Sequence, residues 1–189
     1  MSTLGLFHST IRAEEKLIIA AAKHRKLKVK LFDIRQQIFN PDTYQPDFDL
    51  ALIRSISSTK GIYVTRFLES LGIPVINSVS TAITCEDKFL TSQALHDANV
   101  STPKFAMVFD INQAKQVVDQ LGGFPVVVKP VVGSWGRLLA KVNDIDALEA
   151  VIEHKNVLGS PQQKVFYLQQ YIKKPGRDIR SFVIGGKTI

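Results

Sequence analysis

Residues 124–137, with the sequence FPVVVKPVVGSWGR, decide how the whole chain is interpreted. A short apolar run, Val126 to Val128, ends in a lysine, and a loop with two glycines follows at once. Residues 138–142 are largely apolar again, so the pattern predicts two strands joined by a glycine-bearing loop. Gly133 and Gly136 allow positive φ angles and let backbone N–H groups approach an anion closely.

Lys129 places a positive charge beside this loop, and the combination suits a polyphosphate. The segment is not the phosphate loop GxxxxGK[ST], because no lysine follows the glycines and no helix start follows the loop. A plain hairpin whose lysine side chain reaches solvent explains the same residues. Both interpretations stay open on this segment alone.

The composition indicates a folded, basic protein. The 189 residues suffice for one large or two small domains, and 45% hydrophobic residues argue against disorder. The 24 Lys and Arg against 17 Asp and Glu give a net charge of +7, which favours anionic partners such as nucleotides, acidic proteins or nucleic acid.

The sequence also predicts a cytoplasmic location. No apolar run is long enough to span a membrane, and residues 1–30 show no secretory signal pattern, so no membrane association is expected. The single Cys85 rules out an intramolecular disulfide and is expected to be a small buried hydrophobe.

Residues 1–80 are predicted to form an α/β unit with a mainly parallel sheet. Strands alternate with helices, which is typical of βαβ connections. No GxGxxG follows the first strand, which argues against a dinucleotide site. The strands are expected at residues 3–8, 28–32, 48–53 and 73–77, and the helices at residues 11–26 and 59–71.

A different pattern follows residue 80. We expect one helix over residues 85–99 and a helical apolar stripe ending at Gly122-Gly123, with a further helix near residues 145–152. Residues 187–189 begin a strand with no expected partner, which suggests a truncated chain. Further strands are expected at residues 105–109, 165–172 and 179–184, besides the two of the hairpin.

Six short motifs stand in the order and spacing of ATP-grasp ligases. The chain resembles their RimK-like group and, within it, the LysX branch, for which the loop Gly133–Arg137 is the most specific part. The motifs are Asn77-Ser78, Cys85-Glu86-Asp87-Lys88, Val128-Lys129-Pro130, Gly133-Ser134-Trp135-Gly136-Arg137, Gln169-Gln170-Tyr171-Ile172 and Gly176-Arg177-Asp178-Ile179-Arg180.

The resemblance implies a division into three parts. Residues 1–80 match the Rossmann-like domain that precedes the ATP-grasp fold. Residues 81–167 match the glycine-loop subdomain with its entry helix, and residues 168–189 match the start of an incomplete C-terminal subdomain.

The resemblance also implies an ATP site. Two lysines would hold the phosphates and the purine side, the loop would cover the β- and γ-phosphates, and a hinge would present an exposed strand edge to adenine. An acidic residue would lie near the ribose. The implied ATP-binding residues are Lys88, Lys129, Gly133, Ser134, Trp135, Gly136, Arg137, Leu138, Gln169, Gln170, Tyr171, Ile172, Asp178 and Arg180.

The implied reaction is ATP-dependent, ADP-forming carboxylate–amine ligation. In LysX-like enzymes the carboxylate belongs to the C-terminal glutamate of a small acidic carrier protein, and the amine to α-aminoadipate or glutamate. The family's Mg²⁺ ligands fall beyond Ile189, so no metal ligand and no catalytic residue is assigned here and the chain alone is expected to be inactive. A homo-oligomer is the family expectation.

Two alternatives stay open. One is a RimK-like glutamate ligase acting on a protein or small-molecule tail, and the other is a nucleotide-binding module without catalysis.

The basic run over residues 23–30 is interpreted as a solvated helix end. Nucleic-acid binding would favour aromatic residues between the charges, and this run has none. His8, His24, His96 and His154 lack metal-ligand spacing.

Overall fold

The computed structural model describes residues 2–133 and 136–188. The chain divides into two compact units, Met1–Ala94 and Leu95–Ile189. Each unit has its own sheet and is described separately.

Unit 1 contains the predicted parallel sheet, in the order β2-β1-β3-β4. Two helices connect its strands, and a third follows the last strand. The elements are β1 (Thr3–His8), α1 (Ala13–His24), β2 (Lys28–Asp33), β3 (Leu50–Arg54), α2 (Ser58–Ser70), β4 (Val75–Ile76) and α3 (Val79–Glu86).

Aromatic rings fill much of the core between this sheet and α2. The Phe7 ring stacks on Phe32 with centroids 4.8 Å apart and meets Phe48 edge-on at 5.3 Å. A Cβ placed on Gly5 would lie 2.9 Å from the Phe48 ring, so only glycine lets this ring close over β1.

A buried carboxylate ties α1 to the sheet. Glu15 is fully buried, and its Oε1 accepts hydrogen bonds from Arg12 Nη2 at 2.9 Å and Arg54 Nε at 2.8 Å. The Arg12 contact, reinforced by Arg54, lowers the pKa of Glu15 to about 2, although burial opposes this shift. The N-terminal half of α1 is thereby fixed to the carboxyl end of β3.

The single helix predicted over residues 85–99 is wrong. The chain forms two helices here, α3 and then α4 (Lys88–Asp97), with extended backbone at Asp87 (φ −92°, ψ 121°). Asp87 Oδ1 accepts hydrogen bonds from the N–H groups of Phe89 and Leu90, at 2.8 and 3.0 Å, and so caps the second helix.

Cys85 is exposed, contrary to the expectation that it is buried.

Unit 2 contains an antiparallel sheet in the order β5-β8-β6-β7. The predicted hairpin is confirmed as β6 and β7, but β7 begins at Ala140, because Leu138 has a left-handed φ of 59° that no strand accommodates. The elements are β5 (Phe105–Val108), α5 (Ile111–Val118), β6 (Val126–Pro130), β7 (Ala140–Val142), α6 (Ile145–Leu158), a 3-10 helix (Pro161–Lys164) and β8 (Phe166–Gln170).

The last described strand has a partner, so the expectation of an unpaired final strand is wrong. β9 (Val183–Ile184) pairs antiparallel with β10 (Lys187–Thr188). Gly185 and Gly186 have φ angles of 56° and 76°, the two positive values that a two-residue hairpin turn requires. The strand predicted over residues 179–184 is correspondingly shorter.

None of the helices in the described ranges, 2–133 and 136–188, combines the length and the apolar character that crossing a membrane requires.

Candidate functional site

The candidate site lies on one face of the unit 2 sheet. Alternate residues of β6, including Val126 and Val128, point into the apolar core, as do Phe166 and Leu168 of β8. The intervening residues therefore occupy the opposite face. Lys129 is directly across from Tyr167, and Val127 from Gln169. Strand pairing thus brings together polar residues that are 40 positions apart in the sequence.

Three side chains form a connected cluster on this face, which we call the polar cluster: Lys129, Gln169 and Tyr167. Lys129 Nζ donates to Gln169 Oε1 at 2.6 Å, and Gln169 Nε2 donates to the Tyr167 hydroxyl at 2.9 Å. The Tyr167 ring is 1% exposed and stacks on Phe105 with centroids 6.0 Å apart. A rigid, buried ring therefore holds the amide that orients the Lys129 ammonium.

The glycine loop, residues 131–139, begins directly after the strand that carries Lys129. Gly133 and Gly136 have φ angles of 136° and 64°. A Cβ on Gly136 would meet nothing within 4 Å, so conformation and close approach, not packing, explain this glycine. Ser134 and Trp135 lie outside the described residues, and Arg137 is exposed.

The structure corrects the expected strand edge at the hinge. Gln169 and Gln170 belong to β8, an inner strand that pairs with β5 on one side and β6 on the other. The Gln170 N–H donates to the Lys104 carbonyl at 2.8 Å. Only Tyr171 and Ile172 lie beyond the paired strand. Lys141 Nζ sits 4.3 Å from the centroid of the Tyr171 ring, so the start of this segment lies close to β7.

The other predicted site residues that the structure describes are Lys88, Asp178 and Arg180. Lys88 begins α4 within unit 1, where burial lowers the pKa of its half-buried ammonium, against the opposing effect of Asp87. Asp178 and Arg180 are exposed, on a segment between β8 and β9 without regular structure. Asp178 pairs with Lys174, which lowers the pKa of its carboxyl group.

Sequence analysis missed two residues of this region. Tyr167 stands two positions before Gln169, and the alternation of a strand would have placed it on the same face. Lys155 follows Leu148 and Ile152 at helical spacing, so a lysine occupies the apolar stripe of α6. A charged residue in a buried stripe was the available signal.

In the described part of the chain, no group of three or more His, Cys, Asp and Glu residues could hold a metal ion. The described residues therefore offer no cluster of carboxylates that would form a complete Mg²⁺ site.

Solved structures identify the class of fold. The chain is similar to a RimK domain ATP-grasp protein from Sphaerobacter thermophilus, with a TM-score of 0.78 and 27% identity over 92% of this chain and 65% of that one. D-alanine–D-alanine ligase from Bacillus anthracis shares the fold, with a TM-score of 0.61 at 20% identity. The fold is thus that of ATP-grasp proteins, as the sequence motifs predicted.

Family models identify the group within this class. The LysX preATP-grasp domain matches residues 4–84, and the RimK-like ATP-grasp domain matches residues 85–189. The chain therefore belongs to the RimK-like ATP-grasp family, and the predicted LysX resemblance is confirmed.

Two curated relatives are similar over nearly the whole chain. The alpha-aminoadipate–LysW ligase LysX of Saccharolobus solfataricus is 38% identical over 94% of this chain. The glutamate–LysW ligase ArgX of Sulfolobus acidocaldarius is 35% identical over 98% of it. The chain spans 65% and 66% of the lengths of these two relatives.

Proposed function

We propose that the polar face of the unit 2 sheet binds ATP. The observation that carries this proposal is the Lys129 ammonium, oriented by Gln169 and Tyr167 at the entrance of a loop with positive φ at two glycines. Charge-assisted contacts to phosphate are strong, and backbone N–H groups in such a loop add neutral donors around the same anion.

In this proposal the nucleotide lies along the sheet from the hinge to the loop. The peptide groups of Tyr171 and Ile172, beyond the paired part of β8, would bind the adenine edge, which needs one donor and one acceptor. The phosphates would lie near Lys129 and the loop, Gly133–Leu138 with Ser134, Trp135, Gly136 and Arg137. Gln169 belongs to the proposed set through its contact with Lys129, and Gln170, Asp178 and Arg180 of unit 2 complete it on the family resemblance alone.

We further propose that the chain is part of an ADP-forming ligase. A carboxylate oxygen would attack the γ-phosphorus of ATP, giving an acylphosphate and ADP. An amine nitrogen would then attack the acyl carbon, releasing phosphate and one proton and leaving an amide. Lys129 and the loop amides would stabilise the negative charge that develops on the transferred phosphoryl group, and a closed glycine loop would protect the acylphosphate from water.

The names of the relatives suggest the substrates. Both are LysW ligases, one for α-aminoadipate and one for glutamate, so we propose a LysW-type carrier protein and one of these amino acids. The net charge of +7 is compatible with an acidic protein partner. A cytoplasmic homo-oligomer remains part of this proposal.

A glutamate ligase with a different acceptor is the second candidate. A probable alpha-L-glutamate ligase of Shewanella halifaxensis is 28% identical over 91% of this chain. An ADP-release assay on a chain that includes the C-terminal subdomain implied by the resemblance separates the two, because only the first candidate requires the carrier protein. A binding module without catalysis would release no ADP with either acceptor.

Calorimetric titration of the 189-residue chain with ATP and GTP tests the binding proposal. ATP is expected to bind about tenfold or more tightly than GTP, because guanine reverses the donor and acceptor that adenine presents to a peptide edge. Failure to bind ATP, or equal binding of the two, would overturn the proposed adenine contact.

A further inference from the structure

We infer that Lys155 is a positioning residue that fixes the exit of the glycine loop. Lys155 Nζ donates to the carbonyl oxygen of Leu138 at 3.2 Å. We call this hydrogen bond the tether, and it is present in the chain without any ligand. The effect that we infer for nucleotide binding rests on the proposed ATP site.

The surroundings of Lys155 make this contact important. Only 9% of Lys155 is exposed, and the residue belongs to the buried stripe of α6 with Leu148 and Ile152. Burial of the ammonium lowers its pKa, because the charged form loses contact with water. A buried ammonium needs an acceptor, and the Leu138 carbonyl provides one.

The acceptor is a strained point of the backbone. Leu138 has a φ of 59°, a left-handed conformation that is unfavourable for a residue with a side chain. Its side chain is exposed, so apolar packing does not hold it there. The hydrogen bond from Lys155 is the contact that holds this carbonyl on α6, at the point where the loop turns into β7.

The loop is then anchored at both ends in different ways. At its entrance Val131 is buried directly after β6. At its exit the polar contact with Lys155 holds Leu138. Gly133 and Gly136 belong to the part of the loop between these two anchors, and in the proposed site their backbone N–H groups would approach the phosphates. Lys155 would therefore determine the position of the loop N–H groups that bind the nucleotide, although Lys155 itself does not contact the nucleotide.

Limited trypsin digestion without ligand tests the tether. Lys155→Met keeps the aliphatic stem and removes the donor, so cleavage after the exposed Arg137 is expected to accelerate about fivefold or more. Lys155→Arg should stay near the wild-type rate. The matched control is Lys164→Met, at an exposed lysine of the 3-10 helix, which should leave the rate of cleavage after Arg137 unchanged.

The pattern of fragments separates a released loop from a destabilised protein. A loop that has lost its tether is cut selectively after Arg137, whereas global unfolding accelerates cleavage at every lysine and arginine. A wild-type rate after Arg137 in Lys155→Met, or uniform acceleration at all sites, would overturn the inference.

Nucleotide titration tests the consequence for binding. In Lys155→Met the affinity loss should grow with the number of phosphates, from little for AMP to about tenfold for ATP. An equal loss for AMP and ATP would assign Lys155 a general structural role instead. If the wild-type chain binds no ATP, the proposed function fails, while the digestion result still decides whether Lys155 tethers the loop.

Discussion

The two faces of the unit 2 sheet are built from the same strands but have opposite character. One face is packed by α5 and α6, through Ala114, Val118, Leu148 and Ile152, over fully buried strand residues. The other carries the polar cluster of Lys129, Gln169 and Tyr167. Neighbouring residues of β6 or β8 thus belong in turn to the packed core and to the proposed ATP site, and substitutions on the two faces should have separable effects.

Truncation on the apolar face should give the largest effect. Leu168 is completely buried in the core, so Leu168→Ala is expected to lower the free energy of unfolding by about 2–5 kcal/mol. Denaturant titration measures this loss. The variant should still bind ATP normally under conditions where it is folded. A loss below about 1 kcal/mol would mean that this face is not the stabilising one.

The reverse behaviour is expected for Lys129→Ala on the polar face. The ATP dissociation constant should rise about tenfold or more, about 1.4 kcal/mol, while the free energy of unfolding changes little. Calorimetric titration measures the ATP dissociation constant of this variant and of the control Lys164→Ala, in which an exposed lysine is replaced and the constant should not change. An unchanged dissociation constant would remove Lys129 from the proposed site.

Gly136→Val examines the loop beside these faces. The φ of 64° disfavours a β-branched residue, and the added methyl groups block close approach to a phosphate. Turnover in the ADP-release assay, run on a chain that includes the C-terminal subdomain implied by the resemblance, should fall about fivefold or more, with a much smaller loss of ATP affinity. Preserved turnover together with a lowered melting temperature would show that this glycine is structural.

Tyr167→Phe should give the smallest effect and is the sharpest check on the separation of the faces. It removes the hydroxyl that accepts from Gln169 Nε2 but keeps the ring that stacks on Phe105. The expected stability loss is about 1 kcal/mol, with ATP affinity changed by less than about threefold. A larger loss of affinity would show that the hydroxyl group, and not the stacked ring alone, is needed to keep the Gln169 amide and Lys129 in position.

The sequence predicts local features of this site better than pairings between distant segments. The hairpin, Lys129 and the glycines are encoded within residues 124–142 by alternation and turn chemistry, and they were found. The contact between Lys129 and Gln169 depends on the pairing of β6 with β8, whose register no local pattern sets. For the same reason the inner position of β8 was missed, and with it the paired edge at Gln169 and Gln170.

Two of the corrected predictions, the single helix over residues 85–99 and the unpaired final strand, have different causes. The break at Asp87 has no Gly or Pro to mark it, and its only signal is an aspartate that caps the following helix. The hairpin of β9 and β10 is signalled by two consecutive glycines, Gly185 and Gly186, but the short strands beside them give little alternation that would predict their pairing.

The alternation along β6 and β8 also determines which length changes the unit can accept. Inserting or deleting one residue inside either strand would turn the residues beyond it over, exposing valines and leucines on one side and burying Lys129 or Gln169 on the other. The glycine loop, residues 131–139, has no alternation of this kind to preserve, because its two ends are held separately, by the buried Val131 and by the contact with Lys155. Natural variation in length should therefore be confined to the loop and be absent from the two strands.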